Sequence, residues 1–210
     1  MIVVCLDLEG VLVPEIWVEV ARRMGVEALA RTTRDEPDYD KLMRYRLEIL
    51  AREKLRLADI EAVIADMGPL AGASEFLGEL RTRHQVVILS DTFYEFARPL
   101  MRQLGWPTLF CHRLEIDADG FVANYRLRMP DQKRSAVEAF RALNFSVVAA
   151  GDSYNDTSML GAANAGIFFR PPASIAAQFP VFPVTQSYAE LAAAIEDAAT
   201  QLKRPRSGPA

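Results

Sequence analysis

In the sequence IVVCLDLEG, residues 2–10, an uninterrupted apolar run ends in two carboxylates. A short continuous apolar run is typical of a central strand in a parallel sheet, which is covered on both faces. In an open α/β sheet, ligands bind beyond the carboxyl ends of the strands. Asp7 and Glu9 therefore stand where the sequence predicts a functional site.

Short apolar runs alternate with amphipathic segments along most of the chain, which predicts an α/β fold with a doubly wound, mostly parallel sheet. The apolar runs predict four buried strands, at residues 2–8, 85–89, 145–150 and 165–169. A turn signal at 117–120 predicts two further short strands, at 113–116 and 121–127. Helical spacing predicts helices at residues 93–104, 131–143, 154–163 and 187–202.

Residues 14–68 interrupt this alternation, because their pattern is helical throughout. Helices are predicted there at residues 15–24, 39–52 and 58–67. A helical insert directly after the first strand predicts a small cap domain over the carboxyl edge of the sheet. The catalytic core is then predicted at residues 1–13 and 69–202, and the basic, proline-interrupted residues 203–210 are predicted to form a disordered tail.

Composition narrows the classes of partner. The net charge of −4 and the pI of about 5.3 give no reason to expect nucleic acid or an anionic membrane. The sequence shows neither an apolar run of roughly 20 residues, the length of a membrane span, nor an export signal. Cys5 and Cys111 are isolated, so neither a zinc cluster nor a disulfide framework is indicated. These features predict a cytoplasmic protein.

Two further predicted strands end in polar motifs. Ser90-Asp91-Thr92 follows one of them, and Gly151-Asp152-Ser153-Tyr154-Asn155-Asp156 follows another. Lys133 lies between the two motifs, at the start of a predicted helix. Because the carboxyl ends of parallel strands meet at one edge of a sheet, these side chains are expected around the same cleft as Asp7.

The residue types in this cleft suit phosphoryl transfer. Asp7 and Asp152 offer the oxygen ligands that Mg²⁺ prefers, and the absence of histidine from the motifs disfavours zinc. Ser90 offers a hydroxyl donor and Lys133 a cation for the phosphoryl oxygens. The Asp7 carboxylate can attack phosphorus to form an acyl phosphate, with Glu9 as the acid and base.

Each of these residues also has a simpler interpretation when taken alone. A lone Asp at a strand end is most often a helix cap or turn former, and a lone Lys at a helix start is most often solvated. The functional interpretation depends on the conjunction of four such signals, each at the edge of a predicted strand or helix.

These motifs resemble those of the haloacid dehalogenase superfamily, which run D-x-D, Ser or Thr, Lys and GDxxxD in order along the chain. Within it, the sequence is similar to phosphoserine phosphatases. The stretches DLEGVLVPEIW, VVILSDTFYEF, RQLGWPTLFCH and AAGDSYND are especially similar to a bacterial subgroup, phosphoserine phosphatase/homoserine phosphotransferase. The resemblance extends to about residue 200.

The resemblance implies a role for each motif residue. Asp7 is the nucleophile and a magnesium ligand, Asp152 is a second ligand, and Glu9 gives the metal its backbone carbonyl and serves as acid and base through its side chain. The phosphoryl oxygens are held by Ser90, Lys133 and Asn155. Asp156 stands behind the metal site, orienting a metal-bound water or Lys133.

The resemblance also implies how the helical insert selects a substrate. Glu15 takes the ammonium group of phosphoserine, and Arg46 takes its carboxylate, for which a guanidinium is suited. The alternative for both residues is an ordinary ion pair on an exposed helix. Two positions depart from most relatives: Glu9 replaces Asp, and Asp91-Thr92 replaces two glycines. Both departures are features of the subgroup.

The function expected from the resemblance is that of a magnesium-dependent phosphoserine phosphatase that passes the phosphoryl group to water or to homoserine. A phosphatase for another small phosphomonoester is the alternative within enzymes. A regulatory domain phosphorylated on Asp7 is the alternative from another class. Small molecules are the expected partners, and the oligomeric state, including a homodimer, stays open.

Overall fold

A seven-stranded sheet organises the chain in this computed structural model, which describes residues 1–33, 35–36 and 38–203. In chain order the strands β1 to β7 are Ile2–Leu6, Gln85–Phe93, Thr108–Ile116, Val122–Arg126, Ser146–Gly151, Ala165–Phe169 and Val184–Thr185. Their order in the sheet is β4-β3-β2-β1-β5-β6-β7, and only the β3–β4 pair is antiparallel. The predicted α/β class with a mostly parallel sheet is confirmed.

Nine α-helices connect and cover the described strands. In chain order α1 to α9 are Ile16–Met24, Tyr39–Arg52, Leu57–Ala65, Ala73–Arg83, Tyr94–Gln103, Gln132–Ala142, Thr157–Ala162, Ala173–Gln178 and Tyr188–Lys203. Short 3-10 helices occur at Glu27–Ala30 and Tyr154–Asp156. No helix within these described stretches combines the length and the apolar character that a membrane crossing requires.

The central strand β1 is buried on both faces because all five of its residues are apolar. Alternate side chains point to opposite faces of a strand. Ile2, Val4 and Leu6 pack in the cluster that includes residues of α1, α4 and α9, whereas Val3 and Cys5 pack with residues of α6 and α7. The strand that ends in Asp7 is thus fixed from both sides of the sheet.

Helices α1, α2 and α3 all lie between β1 and α4 in the chain. No β-strand occurs among the described residues of 14–68. The helical insert also contacts the β3–β4 hairpin, since the Tyr125 hydroxyl donates to Asp40 and Arg44 Nη1 donates to Asn124 Oδ1 at 3.1 Å. The division into a core and a cap domain stays a prediction.

Several elements differ from those predicted. Strand β2 continues through Ser90-Asp91-Thr92, where a loop was expected. The register with β3 is irregular between Leu89 and Phe93, and these three polar residues line the cleft. Helices α4 and α8 and strand β7 were not predicted, and β3 begins five residues earlier than expected, at Thr108. Of the predicted tail, Lys203 is helical and residues 204–210 lie outside the described residues.

Candidate active site

A cavity of about 110 Å³ lies at the carboxyl edge of the sheet, under the helical insert. We call it the cleft. Eight of the nine residues that the sequence singled out line it: Asp7, Glu9, Glu15, Arg46, Ser90, Lys133, Asp152 and Asn155. The ninth, Asp156, is buried and contacts Lys133.

Asp7 stands directly after β1 and is held by backbone and side-chain contacts. Its N–H donates to the carbonyl oxygen of Ala150 at 2.9 Å, which fixes it to the neighbouring strand β5. Its Oδ1 accepts from the Leu8 N–H at 2.7 Å and contacts Lys133 Nζ at 2.9 Å. Burial and the nearby Asp156 and Asp152 raise the pKa of Asp7, and the charge of Lys133 opposes them.

Lys133 is a buried cation of the cleft, with only 4% of its surface exposed. The second residue of α6, it brings its Nζ 2.9 Å from Asp7 Oδ1, 2.8 Å from Asp156 Oδ1 and 3.8 Å from Asp91 Oδ2. Burial lowers the pKa of Lys133, but the charges of Asp156 and Asp7 outweigh it, so the pKa is raised. The side chain is therefore an ammonium ion.

Asp156 is fully buried, and both of its carboxylate oxygens already have donors. Oδ2 accepts from the Asp152 N–H at 3.0 Å, the Ser153 N–H at 3.1 Å and the Ser153 hydroxyl at 3.1 Å. Oδ1 accepts from Lys133. A Cβ at Gly151 would come within 2.3 Å of Asp156 Cγ, so only glycine permits this approach. Asp156 thus holds the loop after β5 and positions Lys133.

The carboxylates fit a divalent metal ion. Oxygen atoms of Asp7, Asp152 and Asp156 lie within 4.8 Å of one another. Burial and the charge of Asp156 raise the pKa of Asp152 to about 7, and a bound cation would relieve this repulsion. Four donors already engage the Asp156 oxygens, so Asp7 and Asp152 are the side chains better placed to bind the ion. An all-oxygen donor set suits Mg²⁺.

Glu9 connects the end of β1 to the helical insert. Its Oε2 accepts a hydrogen bond of 2.7 Å from the N–H of Ile16, the first residue of α1. Burial and the charge of Glu15 raise the pKa of Glu9 to about 7. A carboxyl group with a pKa near neutrality can both give and take a proton, which is what an acid and base requires.

Ser90 is buried within the irregular part of β2, with 1% of its surface exposed. Its Oγ accepts from the N–H of Thr92 at 3.2 Å, and its carbonyl oxygen accepts from the amide of Gln132. The hydroxyl proton of Ser90 is therefore available to a ligand in the cleft.

Arg46 reaches the cleft from α2 and is 6% exposed. Its Nη2 donates to the carbonyl oxygen of Arg31 at 2.6 Å, and its guanidinium lies 4.6 Å from the ring centre of Trp17. Its Nε has no hydrogen-bond partner within the described part of the chain. Burial lowers the pKa of Arg46 to about 10. Glu15, which precedes α1, is exposed and lines the same cleft, so the insert presents one cation and one anion to it.

Four residues around the cleft had no functional role in the sequence interpretation: Tyr39, Asp91, His112 and Gln132. The Tyr39 hydroxyl donates to the backbone oxygen of Asp91 at 3.1 Å. This contact joins segments that are far apart in the chain, so no local pattern predicts it. Two of the four residues do leave a sequence signal: Gln132 is adjacent to Lys133, and Asp91 stands where most relatives have glycine.

Comparison with known proteins places this architecture in a family. A family model described as haloacid dehalogenase-like hydrolase matches residues 3–164. The phosphoserine phosphatase ThrH of Pseudomonas aeruginosa is 58% identical over 91% of this chain and 93% of its own length. A phosphoserine phosphatase of Pseudomonas syringae pv. tomato is also 58% identical, over 90% of this chain and 80% of its own length.

Solved structures show the same fold. A substrate-bound phosphoserine phosphatase complex aligns with a TM-score of 0.75 at 20% identity, covering 93% of this chain and 97% of that one. A phospho-aspartyl intermediate analogue of a phosphoserine phosphatase aligns with a TM-score of 0.74, also at 20% identity and with the same coverage. Together with the matched family model and the two close relatives, the fold shows that this chain belongs to the haloacid dehalogenase-like hydrolase family.

Proposed function

We propose that this protein is a magnesium-dependent phosphoserine phosphatase that works through a phosphorylated Asp7 and transfers the phosphoryl group to homoserine as well as to water. The observation that carries the proposal is the meeting of two charge pairs in one cleft. Asp7 follows β1 and Lys133 belongs to α6, whereas Glu15 and Arg46 come from the insert. The names of the two relatives that are 58% identical support phosphoserine as the donor.

In the first step, a carboxylate oxygen of Asp7 attacks phosphorus and the bond from phosphorus to the serine oxygen breaks. Lys133 and Ser90 bind the phosphoryl oxygens, where negative charge is concentrated in the transition state. Glu9 gives its proton to the departing serine oxygen. The raised pKa of Glu9, about 7, supplies that proton at neutral pH.

In the second step, a hydroxyl oxygen attacks the phosphorus of the Asp7 phosphate. The bond between phosphorus and the Asp7 oxygen breaks, and Glu9, now a carboxylate, takes the proton of the attacking hydroxyl. Water gives inorganic phosphate, and an alcohol gives a new phosphate ester. Asp7 and Glu9 return to their starting states, so the cycle closes.

The metal would be held by the side chains of Asp7 and Asp152 and by the backbone carbonyl of Glu9. When bound, Mg²⁺ supplies positive charge against the phosphoryl oxygens, beyond the single charge of Lys133. Asp156 would stand behind the metal, where its oxygens hold Lys133 and the loop after β5. Asn155, exposed at the edge of the cleft, contacts the phosphate.

Glu15 and Arg46 recognise the amino-acid part of the substrate. Arg46 is suited to a carboxylate because its guanidinium is buried and its Nε has no hydrogen-bond partner within the described stretches. A charge-assisted bond formed in such a site is strong. Glu15 provides the opposite charge for the ammonium group. The pair matches an ammonium and a carboxylate at once, which favours phosphoserine over sugar phosphates and nucleotides. An acid and base such as Glu9 favours an enzyme over a regulatory receiver domain.

The hydroxyl group of homoserine can take the place of the departing serine hydroxyl at the phosphoryl site. Homoserine differs from serine, the departing alcohol, by one methylene group, and it carries the same ammonium and carboxylate. One methylene discriminates by only about 1–3 kcal/mol, so its larger size does not exclude homoserine from the space that serine leaves. A bound acceptor also has a large effective concentration relative to passing water.

A cytoplasmic location of the protein is also part of the proposal.

Replacing Asp7 by Asn should reduce turnover of phosphoserine by at least about 10³-fold, because the amide keeps the shape of the side chain but loses the nucleophile and a metal ligand. Steady-state release of phosphate measures the effect. The matched control is Asp119→Asn, an exposed turn residue, which should keep wild-type turnover. Retention by Asp7→Asn of more than a tenth of wild-type turnover would overturn the assignment of the nucleophile.

Removal of divalent metal with EDTA should abolish turnover, and Mg²⁺ should restore it. Calcium should inhibit, because it accepts more ligands at longer distances and can draw Asp7 into bidentate coordination. Mg²⁺ should also raise the midpoint of thermal unfolding in the wild type, and should raise it less in Asp152→Asn. Full activity in excess EDTA would remove the metal from the mechanism.

Replacing Arg46 by Ala should raise KM for phosphoserine and leave p-nitrophenyl phosphate, which has no carboxylate, nearly unaffected. Loss of a charge-assisted pair should cost about 1.5–3 kcal/mol in kcat/KM for phosphoserine. Arg52→Ala, an exposed change on the same helix, is the matched control. Equal damage to both substrates by Arg46→Ala would instead show that Arg46 only supports the insert.

Phosphorus NMR on the enzyme, Mg²⁺ and phosphoserine should show a phosphohomoserine signal when homoserine is added. The signal should grow with homoserine concentration at the expense of inorganic phosphate, because both products come from the same Asp7 phosphate. Inorganic phosphate alone at every homoserine concentration would mean that the protein is a phosphatase without transferase activity.

A further inference from the structure

A second cavity, of about 260 Å³, opens beside the cleft. We call it the side chamber. It shares five lining residues with the cleft: Thr33, Tyr39, Asp91, Lys133 and Asn155. His112, Asp131 and Gln132 are among the residues that line the side chamber alone. A molecule whose hydroxyl group reaches the phosphoryl site can therefore extend into this space.

Asp91 lines both cavities, and its carboxylate has nitrogen donors nearby but at distances longer than a strong hydrogen bond. Its Oδ1 is 3.4 Å from Gln132 Nε2 and 3.6 Å from His112 Nε2, and its Oδ2 is 3.8 Å from Lys133 Nζ. Charge-assisted bonds from nitrogen to a carboxylate are typically about 2.7–2.9 Å long. The side chain is also 36% exposed, so it has lone pairs and room for a further donor.

The charge and orientation of Asp91 are fixed by its neighbours. The backbone N–H of Arg128 donates to His112 Nδ1 at 3.1 Å, so the neutral ring carries its own proton on Nε2, which faces Asp91. Burial raises the pKa of Asp91, but Lys133 and His112 outweigh it and lower the pKa to about 2. Asp91 is thus an anion at neutral pH.

Gln132 adds a second acceptor to the wall of the side chamber. Only 2% of its surface is exposed, and its Nε2 donates to the carbonyl oxygen of Ser90. That bond leaves Oε1 as the other end of the amide, and Oε1 has no hydrogen-bond partner in the part of the chain that the structure describes. A buried acceptor without a donor is costly, so a ligand that brings one is favoured.

A carboxylate and an unpaired amide oxygen together suit an ammonium group, which has three donors and no acceptor. We propose that Asp91, with Gln132, binds the ammonium group of the amino-acid alcohol that accepts the phosphoryl group. Asp91 is then the residue that selects the acceptor, whereas Glu15 recognises the donor. The inference rests on the proposed phosphotransfer, in which the acceptor hydroxyl bonds to phosphorus, the bond to Asp7 breaks and Glu9 takes the proton.

The test compares two acceptors that differ only in the ammonium group, homoserine and 4-hydroxybutanoate. The enzyme is phosphorylated from phosphoserine with Mg²⁺, and phosphorus NMR measures the ratio of phosphorylated acceptor to inorganic phosphate. This ratio is set after Asp7 is phosphorylated, so slower phosphorylation in a variant does not change it. The wild type should favour homoserine, and Asp91→Asn should lose about tenfold or more of that preference, as expected for a charge-assisted bond.

Two further variants make the comparison specific. Asp131→Asn removes one negative charge from the same chamber, and it should keep the wild-type preference because Asp131 Oδ1 is already bonded to the Ser158 hydroxyl at 2.9 Å. Its backbone, at a φ of 44°, accepts Asn readily. Glu15→Gln should also keep the preference, since Glu15 recognises the donor. Thermal unfolding verifies that each variant is folded.

Several results would overturn the inference. One is an unchanged preference for homoserine in Asp91→Asn, and another is its loss in Glu15→Gln alone. Equal loss in Asp131→Asn would show a general effect of charge and would also overturn it. A wild type that hydrolyses phosphoserine but forms no phosphohomoserine would overturn the proposed transferase activity and this inference with it, whereas transfer with no dependence on Asp91 overturns this inference alone.

Discussion

The ammonium group of Lys133 lies among carboxylates that come from three neighbouring strands, and the geometry of the cleft depends on it. Asp91 belongs to β2, Asp7 follows β1, and Asp156 belongs to the loop after β5. Breaking one partner of a buried ion pair leaves an uncompensated charge and typically costs about 3–5 kcal/mol. The ends of these three strands are therefore held together at the cleft.

The helical insert is fastened to this centre by polar contacts rather than by packing alone. Glu9 accepts a hydrogen bond from the start of α1, and the Tyr39 hydroxyl of α2 donates to the backbone oxygen of Asp91. On the outer side, the β3–β4 hairpin binds α2 through Tyr125. Glu15 and Arg46 thus come from a different segment than the cleft residues at the strand ends, and these contacts set the distance between the two groups.

Sequence patterns predicted the central sheet and the residues of the cleft because both depend on local signals. The five apolar residues of β1 and the polar residues after β1 and β5 are contiguous in the chain. Strand β2 was predicted too short, because Ser90-Asp91-Thr92 reads as a loop until its pairing with β3 is known. The side chamber could not be predicted from the sequence. It requires His112 of β3 to lie beside Asp91 of β2, and these residues meet only when the two strands pair. The roles of the cleft residues remain predictions.

The hydrogen bond from the Ile16 N–H joins the start of α1 to Glu9, a carboxyl group whose pKa is raised to about 7. If α1 moved away from the sheet, the bond would break and water would reach Glu9. Because burial is the main cause of its raised pKa, Glu9 would then become an ordinary, ionised carboxylate at neutral pH. In the mechanism proposed above, Glu9 would then hold no proton for the departing alcohol, so proton transfer would depend on the position of α1.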